Sequence, residues 1–266
     1  MADFLRPLGD TGIDVSALGL GTVKIGRNQG VKYPGDFELP HDRRVIELLR
    51  RARELDINLI DTAPAYGRSE ERLGQLLRNR HDWVICSKAG EEFRGGVSRY
   101  DFRPEQIRQS VERSLRRLRT DYIDLVLIHS DGNDRDIIHR YGALDVLAEL
   151  KQKGWIRAAG MSTKTVEGGL ACLERADAAM VTYNLADDSQ RPVIDYAATN
   201  NKGILIKKAF GSGHLCATGE DPVRAGLEKI LGTVGVTSVI AGTLNPNHLQ
   251  DNARLAHQLL SNFPVP

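Results

Sequence analysis

Eight short apolar runs alternate with stretches of helical hydrophobic periodicity, which predicts an α/β fold, a parallel (β/α)8 barrel. Length agrees: 266 residues match the roughly 250 residues usual for one such barrel, so residues 1–266 are expected to form a single domain. The third observation lies at the ends of the runs. The run through Ile57, Leu59 and Ile60 stops at Asp61, Trp83–Lys88 stops at Lys88, and Tyr122–His129 stops at His129. Parallel α/β proteins present their chemistry at the carboxyl ends of strands.

Composition narrows the class before any single motif does. The net charge is +1, which leaves no electrostatic footprint for nucleic acid. Met1 to Pro7 has no apolar targeting core, and no run approaches membrane-spanning length. The three cysteines, Cys86, Cys172 and Cys216, are too few and scattered for a disulfide framework or zinc site. A soluble cytoplasmic protein without membrane or nucleic-acid partners is expected.

In chain order, Phe4 to Ser16 reads as a hairpin turning at Gly9-Asp-Thr-Gly12, and Ala17 to Gly21 as the first barrel strand. Gly19-Leu-Gly21 and Gly211-Ser-Gly213 invite a dinucleotide-fingerprint reading. Lys24 and Cys216 stand where the third glycine is required, so both are rejected. Lys24 to Pro40 has no periodicity and reads as a long loop. Val45, Leu48, Leu49, Ala52 and Leu55 then form a helical stripe. Ala89 to Arg103 reads as a second irregular loop around Gly95-Gly96, with Arg99 and Tyr100 within reach of a substrate. Pro104 opens a helix whose buried stripe is Ile107, Val111, Leu115 and Leu118. Its arginines (113, 116, 117 and 119) read as a solvated face with local pairing. Ser130 to Asp136 is a polar loop, Ile156 to Ser162 the fifth strand, Gly203 onward the seventh, and Thr237 to Thr243 the eighth. The histidines other than His129 lack charged company at strand ends and read as structural.

The strand-end residues combine into one constellation. A carboxylate ending a buried strand requires a cation, and Lys88 supplies one. A five-residue loop, residues 62–66, then places Tyr66 just before Gly67. A free tyrosine titrates near 10, too high for work near neutrality, and an adjacent ammonium lowers that value. A neutral His129 imidazole can hydrogen-bond a substrate oxygen. Reduction of a carbonyl requires such a set.

These residues, with Arg6-Pro-Leu-Gly-Asp-Thr-Gly12, Leu18-Gly-Leu-Gly-Thr22, Glu112-Arg-Ser-Leu-Arg-Arg-Leu118, Asp121-Tyr-Ile-Asp124 and Lys153-Gly-Trp-Ile-Arg157, resemble the aldo-keto reductases. The resemblance implies a nicotinamide-dependent barrel with an N-terminal hairpin closing its bottom. Asp61, Tyr66, Lys88 and His129 fall on that family's catalytic tetrad, with Tyr66 as general acid. Cofactor contacts are implied at Gly21, Thr22, Ser162 and Thr163, where Thr163 replaces the usual Asn and Met180 the usual Gln. Lys207-Lys208 stand in place of a stacking aromatic; a lysine there is expected to meet the pyrophosphate, with backbone N–H groups of Gly211, Ser212 and Gly213. Tyr183-Asn184 matches the end of the sixth strand. Thr243, His248, Asp251 and Asn252 fall on the adenosine-phosphate end, and Gly242 replaces the lysine of some members. NADPH is the implied cofactor with NADH second, a small aldehyde or ketone the substrate, and a monomer the assembly. Two rivals are a cofactor-binding sensor or scaffold with little turnover, and a Schiff-base aldolase using Lys88.

Overall fold

The computed structural model describes residues 4–33, 35–213 and 221–262; His214 and Cys216 lie outside them. Strands β1 (Leu5–Pro7) and β2 (Asp14–Ser16) pair antiparallel. Their turn closes with the Leu8 N–H donating to the Ile13 carbonyl at 2.8 Å. Gly12 takes φ 68° there, a conformation that glycine adopts without strain. Leu8, Ile13 and Val15 pack against Leu59, Leu125, Leu127, Ala178 and Leu205, which fill the barrel interior. The hairpin is therefore the floor of the barrel.

Eight strands close the barrel, in the order β3 (Leu18–Gly21), β4 (Leu59–Asp61), β5 (Val84–Ala89), β8 (Ile123–His129), β9 (Ile156–Ser162), β10 (Ala178–Thr182), β11 (Gly203–Lys207) and β12 (Ser238–Ala241). Every pairing is parallel, including that of β12 back to β3. All eight carboxyl ends thus meet at one face. The strands are buried on both sides, which explains why they read as continuous apolar runs and not as alternating ones.

The outer helices are α1 (Val23–Gly26), α2 (Asp42–Glu54), α3 (Ser69–Leu76), α4 (Pro104–Leu118), α5 (Asp134–His139), α6 (Ala143–Gln152), α7 (Val166–Arg175), α8 (Arg191–Thr199), α9 (Pro222–Leu231) and α10 (Pro246–Asn262). Helix α2 buries Val45, Leu48, Leu49 and Ala52 as its stripe predicts. Each large apolar side chain so buried contributes about 1.5–3 kcal/mol. The arginine-rich face of α4 is solvated and locally paired, with Arg116 on Glu112, Arg117 on Glu70 and Glu71, and Arg113 on Glu92. No helix among the described residues is long and apolar enough to cross a membrane.

Three segments differ from the sequence expectation. The loop expected over Lys24–Pro40 begins in helix, because α1 takes its first three residues. Residues 89–103 are not an irregular loop. After β5 they fold into an antiparallel hairpin, β6 (Glu91–Arg94) and β7 (Val97–Tyr100), turning at Gly95-Gly96, both at positive φ. The polar loop after His129 is also shorter than expected, because α5 starts at Asp134. The Asp134 carboxylate is buried and accepts from Ser130 and from the backbone N–H groups of Lys164 and Thr165, which ties the start of α5 to the entry of α7.

Candidate active site

Parallel register places three predicted side chains side by side. Asp61 ends β4 opposite Cys86, Lys88 lies two residues further along β5 opposite Leu127, and His129 ends β8 opposite Ser162. The Lys88 ammonium donates to Asp61 Oδ1 at 2.5 Å and to the Thr62 carbonyl at 3.0 Å. A 3-10 turn, Pro64–Tyr66, brings in the fourth. Tyr66 Oη donates to Asp61 Oδ2 at 3.3 Å, its ring lies 4.6 Å from the Lys88 ammonium, and the Tyr66 and His129 rings meet edge to face at 6.2 Å. All four expected residues converge.

Two glycines hold the tyrosine turn in place. A Cβ on Gly26 would sit 2.2 Å from the Tyr66 carbonyl oxygen, and one on Gly67 2.2 Å from the Gly26 oxygen. The Arg68 N–H closes this contact by donating to the Gly26 carbonyl at 3.1 Å. Gly67 also takes φ 62°, so it is required twice over.

Burial and charge set the protonation of the site. Lys88 is only 1% exposed. Burial disfavours its charge, but Asp61 together with Tyr66 and Cys86 more than offsets this and holds its pKa above the ordinary lysine value. For Tyr66, burial is the largest influence and raises its pKa; Asp61 adds to the rise, and Lys88 only partly opposes it. The expected lowering by Lys88 is present, but burial and Asp61 outweigh it, so the net shift is upward. Tyr66 keeps its proton near neutrality and can only give it away. His129 is shifted below its ordinary pKa by burial, with Lys88 and Lys207 adding to the effect and Glu91 opposing it.

Glu91 was missed by sequence reasoning. Its Oε2 lies 2.8 Å from His129 Nδ1. Burial alone would raise its pKa, but His129, Ser98 and Arg27 together hold it near 2. Arg27 stacks on Phe93 at 3.5 Å and so pins the hairpin over the site. Glu91 and Gly95-Gly96 were visible in the sequence, but nothing there linked that glutamate to a residue on another strand.

A cavity of about 1320 Å³ opens over this face. The tetrad lines it, as do Gly21, Ser162, Thr163, Met180, Lys207, Lys208, Gly211, Ser212, Gly213, Gly242, Thr243, His248, Asp251 and Asn252. Lys24, Lys32, Tyr33, Tyr100, Lys164 and Arg254 also contribute walls. Two expected cofactor residues behave differently from expectation. Thr22 does not line the cavity; its hydroxyl donates to the Asp61 carbonyl at 2.8 Å and accepts from Ser69. It fixes the end of β4 instead. Lys207 turns inward, donating to Ser162 Oγ at 2.8 Å and the Thr163 carbonyl at 2.7 Å. Of the two lysines, Lys208 is the one left on the exposed side.

The inner end of the cavity has the chemistry of a carboxamide site. Thr163 Oγ1 is buried and has no hydrogen-bond partner among the described residues. The Ser162 hydroxyl and the Lys207 ammonium sit beside it, and Met180 pairs with Ser162 across the strands. A primary amide has two N–H donors and one carbonyl acceptor, which match an orphaned hydroxyl and an ammonium. The residues present thus fit a nicotinamide, since the Lys207 side chain can donate where Met180 cannot.

Comparison with known proteins bears on the fold and the family. A solved structure described as an aldo-keto reductase of Pseudomonas aeruginosa superposes with a TM-score of 0.89 and 56% identity, over 97% of this chain and 96% of that one. YqkF, an uncharacterized oxidoreductase of Bacillus subtilis, is 36% identical over 163 residues, 59% of this chain and 48% of that protein. An NADH-specific methylglyoxal reductase of Escherichia coli is 37% identical over 169 residues, 58% of this chain and 50% of that protein. The chain spans about half the length of these two relatives. The profile of the Aldo/keto reductase family matches residues 17–229, and the chain belongs to that family.

Proposed function

We propose that this protein interconverts small aldehydes or ketones and their alcohols, using a nicotinamide dinucleotide as the redox partner. The observation that carries the reading is the convergence of Asp61, Tyr66, Lys88 and His129 at one barrel face, beside the orphaned Thr163 hydroxyl and Lys207. The cofactor, when bound, supplies or accepts a hydride at carbon. The protein's own groups manage the oxygen. Tyr66 holds a proton that it gives to the substrate oxygen. Lys88 and Asp61 fix the tyrosine and keep charge beside it, and His129 meets the same oxygen and orients the carbonyl.

Ser162, Thr163 and Lys207 hold the carboxamide, and Lys208 with the Gly211–Gly213 turn faces the pyrophosphate. Thr243, His248, Asp251 and Asn252 take the adenosine end. Thr243, His248 and Arg254 favour NADPH, through contact with a ribose phosphate, while Gly242 and the NADH-specific relative keep NADH as the second cofactor. Lys88 is a salt-bridged ammonium with a raised pKa, which argues against a Schiff-base role.

The test is Tyr66→Phe. Turnover on a panel of small aldehydes should fall by about 10²-fold or more, with the cofactor dissociation constant nearly unchanged. Near-wild-type turnover in that variant would contradict the assignment.

A further inference from the structure

Lys207 brings a cation to the inner end of the cavity. Its ammonium donates to Ser162 Oγ at 2.8 Å and to the Thr163 carbonyl at 2.7 Å, and both acceptors are neutral. The side chain is half-buried and lines the cavity, on the same rim as the orphaned Thr163 hydroxyl. The charges around it do not cancel its own. Lys88, facing it from β5, is already paired with Asp61. Tyr66 keeps its proton and adds no charge. His129 on β8 is held below its ordinary pKa, and Glu91 behind it is answered by Arg27. Lys208 on the same segment and Lys164 after β9 repel Lys207, and Asp134 at the start of α5 opposes them. That carboxylate is itself engaged by Ser130 and by the N–H groups of Lys164 and Thr165. Further out, Lys32 and Asp187 act on Lys208 with opposite signs. The balance is positive: Lys164, Lys207 and Lys208 against Asp134.

The two redox states of a nicotinamide differ at this end by one unit of charge. The reduced ring is neutral, the oxidised ring is a cation, and the carboxamide is the same in both. A neutral hydrogen-bond donor would treat the two alike. An ammonium does not. Two like charges about 5 Å apart change a binding constant roughly four-fold in water and more than a hundredfold at an effective dielectric of about 20.

We propose that Lys207 selects the redox state of the cofactor: its ammonium donates to the carboxamide in both states and disfavours the oxidised, cationic ring. This rests on the nucleotide-binding reading above and adds a discrimination that the tetrad does not supply. The site then takes up the reduced nucleotide in the presence of the oxidised one, and lets the oxidised one go after a carbonyl has been reduced. The preference depends on pH with a definite sign. Burial and the neighbouring lysines lower the Lys207 pKa to about 7. Below that pH the ammonium repels the oxidised ring, and above it the neutral amine does not, so the preference for the reduced form falls as pH rises.

The test is isothermal titration calorimetry of the purified protein with NADPH and, separately, NADP+. At about pH 6.5 the wild type should bind NADPH about tenfold or more tightly than NADP+, and the ratio should shrink to a few-fold or less at about pH 9. Lys207→Gln keeps an N–H donor and removes the charge. It should bind NADP+ about tenfold more tightly than wild type does at the lower pH, hold NADPH within about three-fold, and show a ratio nearly independent of pH. The variant also separates Lys207 from His129, which it leaves in place. A ratio in Lys207→Gln equal to that of wild type would overturn the proposal, as would equal wild-type affinities at the lower pH. A lysine that merely props Ser162 and Thr163 would weaken both nucleotides together and leave the ratio unmoved. The wild-type pH series decides the matter even if the variant does not fold. Binding of neither nucleotide would overturn the proposal together with the nucleotide site. The predicted ratio without turnover on any alcohol or carbonyl would refute the oxidoreductase reading and leave this one standing.

Discussion

Removing Lys88 is the sharpest perturbation of the site. In Lys88→Met the side-chain volume is nearly conserved, but Asp61 loses the ammonium 2.5 Å away while remaining about 95% shielded. At an effective dielectric of about 20 that pair attracts by about 6–7 kcal/mol. Part of this is recovered, because Tyr66 Oη still donates to Asp61 and the carboxyl can take up a proton. The expected net loss is about 3–5 kcal/mol, the range for breaking a buried pair from one side. Asp61→Leu combined with Lys88→Met should restore most of it, since no unpaired charge is left. Urea denaturation of the two single variants and the double variant closes the cycle. A loss under about 1 kcal/mol would refute the reasoning that Asp61 and Lys88 are a tightly coupled buried pair.

Two further outcomes follow from the inner end of the cavity. Thr163→Val removes a buried hydroxyl without a partner, so stability should hold or rise by about 1 kcal/mol while the cofactor dissociation constant increases several-fold; unchanged affinity would remove Thr163 from the carboxamide site. Lys207 has its folded pKa lowered to about 7, chiefly by burial and then by Lys208 and Lys88. The unfolded chain therefore binds more protons above about pH 7, and stability should rise with pH from there towards the ordinary lysine value. Lys207→Met should flatten that rise in urea denaturation at about pH 7 and about pH 9, and a slope equal to wild type would show that Lys207 is not the group responsible.

The parts of the site that could be read from the sequence are those in which one residue carries its own explanation. Asp61, Lys88 and His129 each end an apolar run, and parallel pairing then forces such ends onto one face. Tyr66 was fixed by its short distance from Asp61. The stripes of α2 and α4 followed from helical periodicity alone. What could not be read depended on direction or on contacts distant in sequence. Whether Lys207 or Lys208 turns inward depends on a one-residue register, and the tertiary pull of Ser162 and Thr163 decides it. Thr22 sits in a cavity-edge motif, yet its hydroxyl is bound to the Asp61 backbone. The net rise of the Tyr66 pKa comes from burial, which a pairwise view of tyrosine and lysine leaves out. Glu91 was hidden because the four-residue strands Glu91–Arg94 and Val97–Tyr100, among the described residues, pair with each other alone and carry no core-facing pattern. Gly95-Gly96 was the one local signal for that hairpin.

The central claim is that this barrel face binds a nicotinamide dinucleotide beside a proton-donating tetrad. The most direct measurement is a fluorescence titration of the purified protein with NADPH and, separately, NADH. The account predicts saturable micromolar-range binding, tighter for NADPH, weakened by Thr163→Val and almost unaffected by Tyr66→Phe. Binding of neither nucleotide would contradict it, since Ser162, Thr163 and Lys207 would then hold no carboxamide and the tetrad would have no hydride partner. Tight binding with negligible turnover across alcohols and carbonyls would instead make the protein a sensor or scaffold for the nucleotide.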